Sequence, residues 1–492
     1  MNLRLRSKRL EAAHGRLHSK RIPTLALKGS FLRARSSSTS SATSTVVLLT
    51  RAYLDGSAVR PRPQTSALHS RAIRSWSSRR SAGPYRTCAN WWDHHRLARG
   101  GATSHLERHG RTSEIDALTF TDLTGRVRRF DEALYDTYAD GIPVLHLGRI
   151  VYERNFGALE AHLQHTCYSI TKSYAGTLAA AFVDEGVLDD TKPIPYYLPE
   201  LRRTAFEDAT LRELMDMQTG LDYSEECADR CASVGAYVRA CGSRPRPAGH
   251  DGPQTLCEYL RTVRKEGPHG ESFAYKTINT EVMTVARVTG RSFVQLLHER
   301  LWAPLGCEED GYVVVDAAGM PLAGCGLSLT LRDMARFGEL MREGTWRGKQ
   351  LIPASVVHDV QLYNDPSKLP SDLTCRNQWW VSRNELRGFF AAGIYGQRLY
   401  VLPEAETVIA RFASHPVASG AANKPITSHR WRRLSACCAS SGPHTQSSPT
   451  LHKEYGARCA SPSRHPKSPP SCSRRRSNEE EMNANQLDEV ME

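Results

Sequence analysis

Ser169 and Lys172 stand three residues apart in Ser-Ile-Thr-Lys, at the head of a stretch with helical periodicity. Residues i and i+3 share a helix face, so the amine can reach the hydroxyl. The helix N-terminus favours negative charge developing on that oxygen and offers a backbone N–H without an intrahelical partner. Burial lowers a lysine pKa, and a neutral amine could then take the serine proton and make the oxygen a nucleophile for an acyl carbon. The same residues would also serve as an N-capping serine followed by a solvated lysine, so the pair takes its meaning from its company. Ser169 is the only serine in the chain three residues before a lysine.

About 100 residues on stands Phe273-Ala274-Tyr275-Lys276-Thr277-Ile278-Asn279-Thr280, a loop leading into a helix, and about 120 further lies Gly393-Ile394-Tyr395-Gly396-Gln397 inside a strand-like run. A Ser-x-x-Lys, a tyrosine loop and a Gly-rich strand, in that order, resemble the serine β-lactamase and penicillin-binding-protein superfamily. ATLRELMDMQTGLDY, YKTINTE, HERLWAPLGCEED, LRDMARFGELM, QWW, GIYGQRLYV and ARFASHPVA look most like its 6-aminohexanoate-dimer hydrolase branch, over roughly residues 118–420.

The resemblance implies roles residue by residue. Ser169 would attack an amide or ester carbonyl to form an acyl-enzyme, Lys172 would activate it, and Tyr275 would pass a proton to the leaving group and help activate the deacylating water. A Lys⁺ beside Tyr275 would favour its phenolate. Backbone N–H groups of Ser169 and Ile394 would hold the oxyanion, with Tyr395 or Gln397 as alternatives for the strand position. Cys227, Asn279, Tyr395 and Gln397 are candidates for the substrate cleft. Cys227 stands where relatives place an aromatic and reads as a small buried residue rather than a second nucleophile, and Asn279 would either cap the following helix or position Tyr275. The branch uses no cofactor, and no cysteine and histidine spacing suits a metal.

Two departures shape the substrate. Thr277 replaces the Asn or Ser common two residues after the tyrosine. Ile394, Tyr395 and Gly396 offer no cation where penicillin-directed members have Lys-Thr-Gly, and related hydrolases often have His at the Tyr395 position. A β-lactam or D-Ala-D-Ala substrate is therefore disfavoured.

The elements that must position these groups are legible in outline. IPVLHLGRIVYERNF (142–156) alternates around Gly148 as a β-hairpin. Helical periodicity marks 169–188, 209–221, 280–290, 292–306 and 331–344, and three strand-like runs fill 376–416. A hairpin, a block of helices and closing strands predict an α+β domain over 112–417, and the resemblance implies an antiparallel sheet flanked by helices, with an all-helical subdomain and the site between them.

The 492 residues carry a net charge of +13 with a mean hydropathy of -0.47, which taken whole suggests an anionic partner. Residues 1–100 hold 20 Lys and Arg against three acids, whereas 101–417 hold 34 basic and 42 acidic residues. The basic charge is thus at the ends, and no interleaved aromatic platform supports nucleic-acid binding. Residues 1–111 are Arg- and Ser-rich and predict a disordered extension, an organelle transit peptide being the alternative. Residues 418–492 are low-complexity, with no apolar stripe for the closing helix that relatives pack on the sheet, and LSACCA (434–439) is too short for one. No run of about 18 apolar residues predicts a membrane span, and scattered cysteines favour a reduced, cytoplasmic protein. The function expected is hydrolysis of a small linear amide or ester. The competing reading is a catalytically silent member that binds a ligand or partner in the same cleft.

Overall fold

The computed structural model describes residues 93–226, 232–283, 289–362, 367–368, 373–382 and 388–418, together with Leu434 and Cys437. Strand β1 (His94–Leu97) comes first, and helix α1 (Phe130–Asp136) leads into strands β2 (Ala139–His146) and β3 (Arg149–Asn155). Leu147 and Gly148, with φ of 52° and 72°, are the two residues between them. Two successive left-handed residues make a tight hairpin whose twist suits the flanking strands. Strand β4 (His165–Thr166) runs into helix α2 (Ile170–Asp184), and short helices α3 (Leu211–Met215), α4 (Ser233–Ala240) and α5 (Thr277–Met283) follow. Strands β5 (Gly311–Val314) and β6 (Leu327–Leu329) precede helix α6 (Leu331–Glu343), and β7 (Leu373–Arg376), β8 (Trp379–Ser382), β9 (Phe389–Gly393), β10 (Gln397–Leu402) and β11 (Thr407–Ala413) complete the sheet.

Seven strands form one antiparallel sheet in the order β7-β8-β9-β10-β11-β2-β3, and four more form a second in the order β1-β5-β6-β4. Helix α6 packs on β10, β11 and β2. The approach is close because Gly338 has no side chain: a Cβ there would lie 2.5 Å from Val408 Cγ1 and 2.8 Å from Leu399 Cδ1. Helix α2 is buried from Ile170 through Phe182. Its run of Ala, Gly, Ser and Thr fits a helix enclosed on all sides rather than one with a single apolar stripe.

The α+β expectation stands, with four corrections. The helix read over 209–221 is only Leu211–Met215. Thr210 and Glu213 cap its start reciprocally, and it stops because Met217 turns to φ 57° so that its carbonyl can accept the Ala274 N–H at 2.7 Å. The three closing strand runs are five strands. Asn377 and Gln378, with φ of 51° and 65°, fold the first run into a hairpin, and Tyr395 and Gly396, with φ of 64° and 89°, break the second. Residues Ile394–Gly396 are accordingly a 3-10 turn between β9 and β10, not part of a strand.

The domain also begins before residue 112. His94–Leu97 pairs with Gly311–Val314, and the carbonyl of Ser104 accepts two N–H bonds from the buried Arg336 at 3.0 and 2.7 Å. At the other end, Leu434 is fully buried among Ile115, Phe130, Leu134, Ile142 and Ile409. The Cys437 carbonyl accepts an N–H from Arg111 at 3.0 Å. Leu434 and Cys437, from the LSACCA stretch judged too short from sequence, thus supply apolar cover to this cluster. The remaining residues of the two predicted extensions lie outside the described ones. No helix among the described residues is long and apolar enough to cross a membrane.

Helix α2 is pinned to the β7–β8 hairpin at Gly176, where a Cβ would stand 2.1 Å from the Asn377 carbonyl oxygen and 2.7 Å from Gln378 Cβ. Gly176→Ala is expected to cost about 1–3 kcal/mol through forced displacement of a packed backbone, read as a lower urea midpoint at constant slope. An unchanged midpoint would show that the contact is easily relieved.

Candidate active site

Strand β4 ends one residue before the Cys167 N–H, which donates to the Leu327 carbonyl at 2.9 Å, and the Ile170 N–H donates back to the Cys167 carbonyl at 3.2 Å. The chain thus passes from sheet to helix within three residues. Tyr168 absorbs the change with φ 48°, an unfavourable conformation for a residue with a side chain. Ser169 sits at the N-cap position of α2 with helical φ and ψ, and its side chain makes no capping bond. That removes the plain N-cap reading of the Ser-x-x-Lys pair.

The hydroxyl instead meets Lys172. Its Nζ lies 2.8 Å from Ser169 Oγ and 2.7 Å from the Gly324 carbonyl oxygen, and 5.1 Å from the centre of the Tyr275 ring. The Tyr275 hydroxyl is electrostatically coupled to both Ser169 and Lys172. An ammonium has three N–H donors, and here Ser169 and Gly324 accept two of them. Burial opposes the charge on Lys172, which is 2% exposed, but Tyr275 and the half-buried Glu225 outweigh it and raise the pKa above the ordinary lysine value. Tyr275 is likewise raised by burial, with the Lys172 charge pulling the other way without prevailing. The sequence-based expectation of a neutral amine and a phenolate is thus corrected. Both groups are pushed toward keeping their protons, Tyr275 chiefly by burial and both by the nearby Glu225 carboxylate.

Tyr275 is held from several sides. Its ring stacks on Trp380 at 5.7 Å and 20°, and Trp380 meets Phe273 edge-on at 5.3 Å. The neighbouring Ala274 N–H is bonded to Met217 as noted. Asn279 is fully buried and accepts from Thr219 Oγ1 at 2.7 Å while its amide lies 3.5 Å from Met217 Sδ. It therefore braces the 217–219 segment that carries Tyr275's loop, rather than capping the helix.

The β9–β10 turn closes on the nucleophile. A Cβ on Gly393 would meet the Cys167 carbonyl oxygen at 2.4 Å, and the Tyr395 ring contacts that of Tyr168 at 5.4 Å. The Tyr395 N–H is already donated to the Ala418 carbonyl at 3.1 Å, which favours Ile394 as the strand-side donor. Gln397 is not a cleft residue. It is fully buried, and its carboxamide donates to the carbonyls of Ile394, Tyr395 and Ala413 at 3.1, 3.2 and 2.8 Å and accepts from the Ala413 N–H at 3.0 Å. Its place in β10, paired with Gly393, turns it toward the backbone it fastens. Cys227 lies outside the described residues.

Three participants were not singled out from sequence. Gly324 holds Lys172 by a backbone carbonyl, and a Gly-Cys-Gly turn was the available signal. Glu225 lies in the YSEE stretch and accepts the Thr277 N–H, and Glu281 lies within YKTINTE and binds the Gly324 loop. Nothing in their spacing showed that these acids face inward.

A serine at the head of a buried helix, with lysine and tyrosine converging on it beneath an antiparallel sheet, defines a β-lactamase/transpeptidase-like fold. The Beta-lactamase family model matches residues 133–427, and the chain belongs to that family. It is 31% identical over 340 residues to the 6-aminohexanoate-dimer hydrolase of Paenarthrobacter ureafaciens, covering 66% of this chain and 86% of that protein. A solved structure from Bacillus anthracis, described as a candidate 6-aminohexanoate-dimer hydrolase, superposes with a TM-score of 0.68 at 27% identity, covering 77% of this chain and 99% of that one.

Because the resting pair carries one proton too many for base catalysis, covalent labelling of Ser169 by a fluorophosphonate should climb steadily from pH 6 to about pH 9. A rate already level by pH 7 would show that Lys172 had lost its proton.

Proposed function

We propose that this chain is a serine hydrolase that transfers the acyl group of small linear amides or esters to water through Ser169. The observation that carries the reading is the 2.8 Å contact between Lys172 Nζ and Ser169 Oγ, with the Tyr275 ring centre 5.1 Å from the same Nζ. Tyr275 is half-buried and is the group through which the surplus proton leaves Lys172 as the substrate enters.

In the reaction, Ser169 Oγ bonds to the substrate carbonyl carbon while its proton passes to Lys172. The oxyanion takes the backbone N–H groups of Ser169 and Ile394. The carbon–nitrogen or carbon–oxygen bond then breaks, and a proton delivered through Tyr275 goes to the departing amine or alcohol. Water adds to the acyl-enzyme, its proton returning to the Lys172–Tyr275 pair, and the acid is released with Ser169 restored. The name of the Paenarthrobacter relative supports a linear amide as substrate. The uncharged Ile394-Tyr395-Gly396 turn supports exclusion of substrates that must anchor a carboxylate there, cephalosporins among them.

The test is a fluorophosphonate and a chromogenic short-chain ester on the full chain, beside a linear 6-aminohexanoate dimer and a cephalosporin. Ser169→Ala should abolish labelling, and Lys172→Ala should lower kcat by about 10³-fold or more, the scale of losing an activated nucleophile. A folded protein with no labelling and no turnover would establish the silent, ligand-binding alternative, and rapid cephalosporin turnover would overturn the substrate argument.

A further inference from the structure

Lysine has a long stem, so its position on α2 does not by itself place the amine. Two acceptors do so, and one of them can move, because the Ser169 hydroxyl rotates. The Gly324 carbonyl, 2.7 Å from Nζ, is the one fixed to backbone. What fixes the Gly324 peptide is Glu281. Its carboxylate accepts the Ala323 N–H on Oε2 at 3.0 Å and the Gly324 N–H on Oε1 at 3.1 Å, and the Tyr237 hydroxyl of α4 donates to the same Oε1. Gly324 has no slack, since a Cβ there would stand 2.6 Å from Thr277 Cγ2 and 2.8 Å from Glu281 Oε1. The arrangement is costly: Glu281 is 5% exposed, and burial pushes its carboxyl up to about 7 despite these bonds.

We propose that Glu281 is a positioning residue, which sets the Gly324 carbonyl and through it holds the Lys172 amine on Ser169. The proposal rests on the reading of Ser169 and Lys172 given above. A displacement of about 1 Å at a reacting group can cost on the order of 100-fold in rate, so the link should be visible in turnover rather than in binding.

Glu281→Gln keeps the shape but turns an amide N–H toward one of the two backbone donors. Expected are a fall of about 10- to 100-fold in both the Ser169 labelling rate and kcat, a KM within about twofold of the parent, and an unchanged circular dichroism spectrum. Gly324→Ala attacks the same link from its other end and should reproduce the pattern; if Glu281→Gln does not fold, that variant decides. Either variant folded and labelling at the parental rate would overturn the proposal, as would a raised KM at parental kcat. Lys172→Ala runs alongside: parental labelling there would sink the proposed function itself, whereas a dead Lys172→Ala beside an unaffected Glu281→Gln would sink only the positioning role.

Discussion

A single buried ammonium organises this molecule's site. Placing Lys172 inside the protein is tolerable only if its charge is hydrogen-bonded or paired, and the groups around it come from parts of the chain far apart in sequence: the head of α2, the Tyr275 loop and the turn before β6. Each must arrive at one point with hydrogen-bond accuracy. The geometry of the strand-to-helix junction at Tyr168, the brace of Asn279 on the 217–219 segment and the carboxylate under Gly324 are all consequences of that demand.

The same convergence explains why a fully burdened lysine is compatible with catalysis. A charge held by such partners is a poor base at rest, but a ligand that displaces one of them changes the balance of the others. The flanking carboxylate of Glu225 favours protonated forms of both Lys172 and Tyr275.

Much of this was readable in the chain. Ser169, Lys172 and Tyr275 could be placed from residue type, spacing and order, and the hairpin at Gly148 and helices α2 and α6 from periodicity alone. Three things were not. Positive φ at Asn377, Gln378 and Tyr395 is stabilised by tertiary contacts, so a broken strand looked continuous. Gln397 is polar beside a Gly-rich motif and so looked like a substrate ligand, although its hydrogen bonds are all to backbone. The sign of the Lys172 shift depended on Tyr275 and on Glu225, a glutamate distant in sequence whose place beside the site has no signature there. Leu434 failed to register for a related reason: a few apolar residues are no helix pattern, but they suffice where a sheet face needs only local cover.

The topology of the large sheet has a further consequence, for the order of events as the chain is made. Strand β2 lies between β3 and β11, and the pairing of His146 with Thr407 joins residues from opposite ends of the domain. Contacts so remote in sequence are slow to form because loop closure must precede them. On a ribosome, the hairpin of β2 and β3 would emerge with one apolar edge exposed and wait for some 260 residues of further synthesis, a span set by that pairing. Helix α2 is complete early in that interval, yet the strand that closes over Ser169 is among the last to appear. The enzyme would therefore acquire its residues for chemistry long before it acquires the cleft, and its yield in a cell would depend on protection of a half-built sheet during the delay.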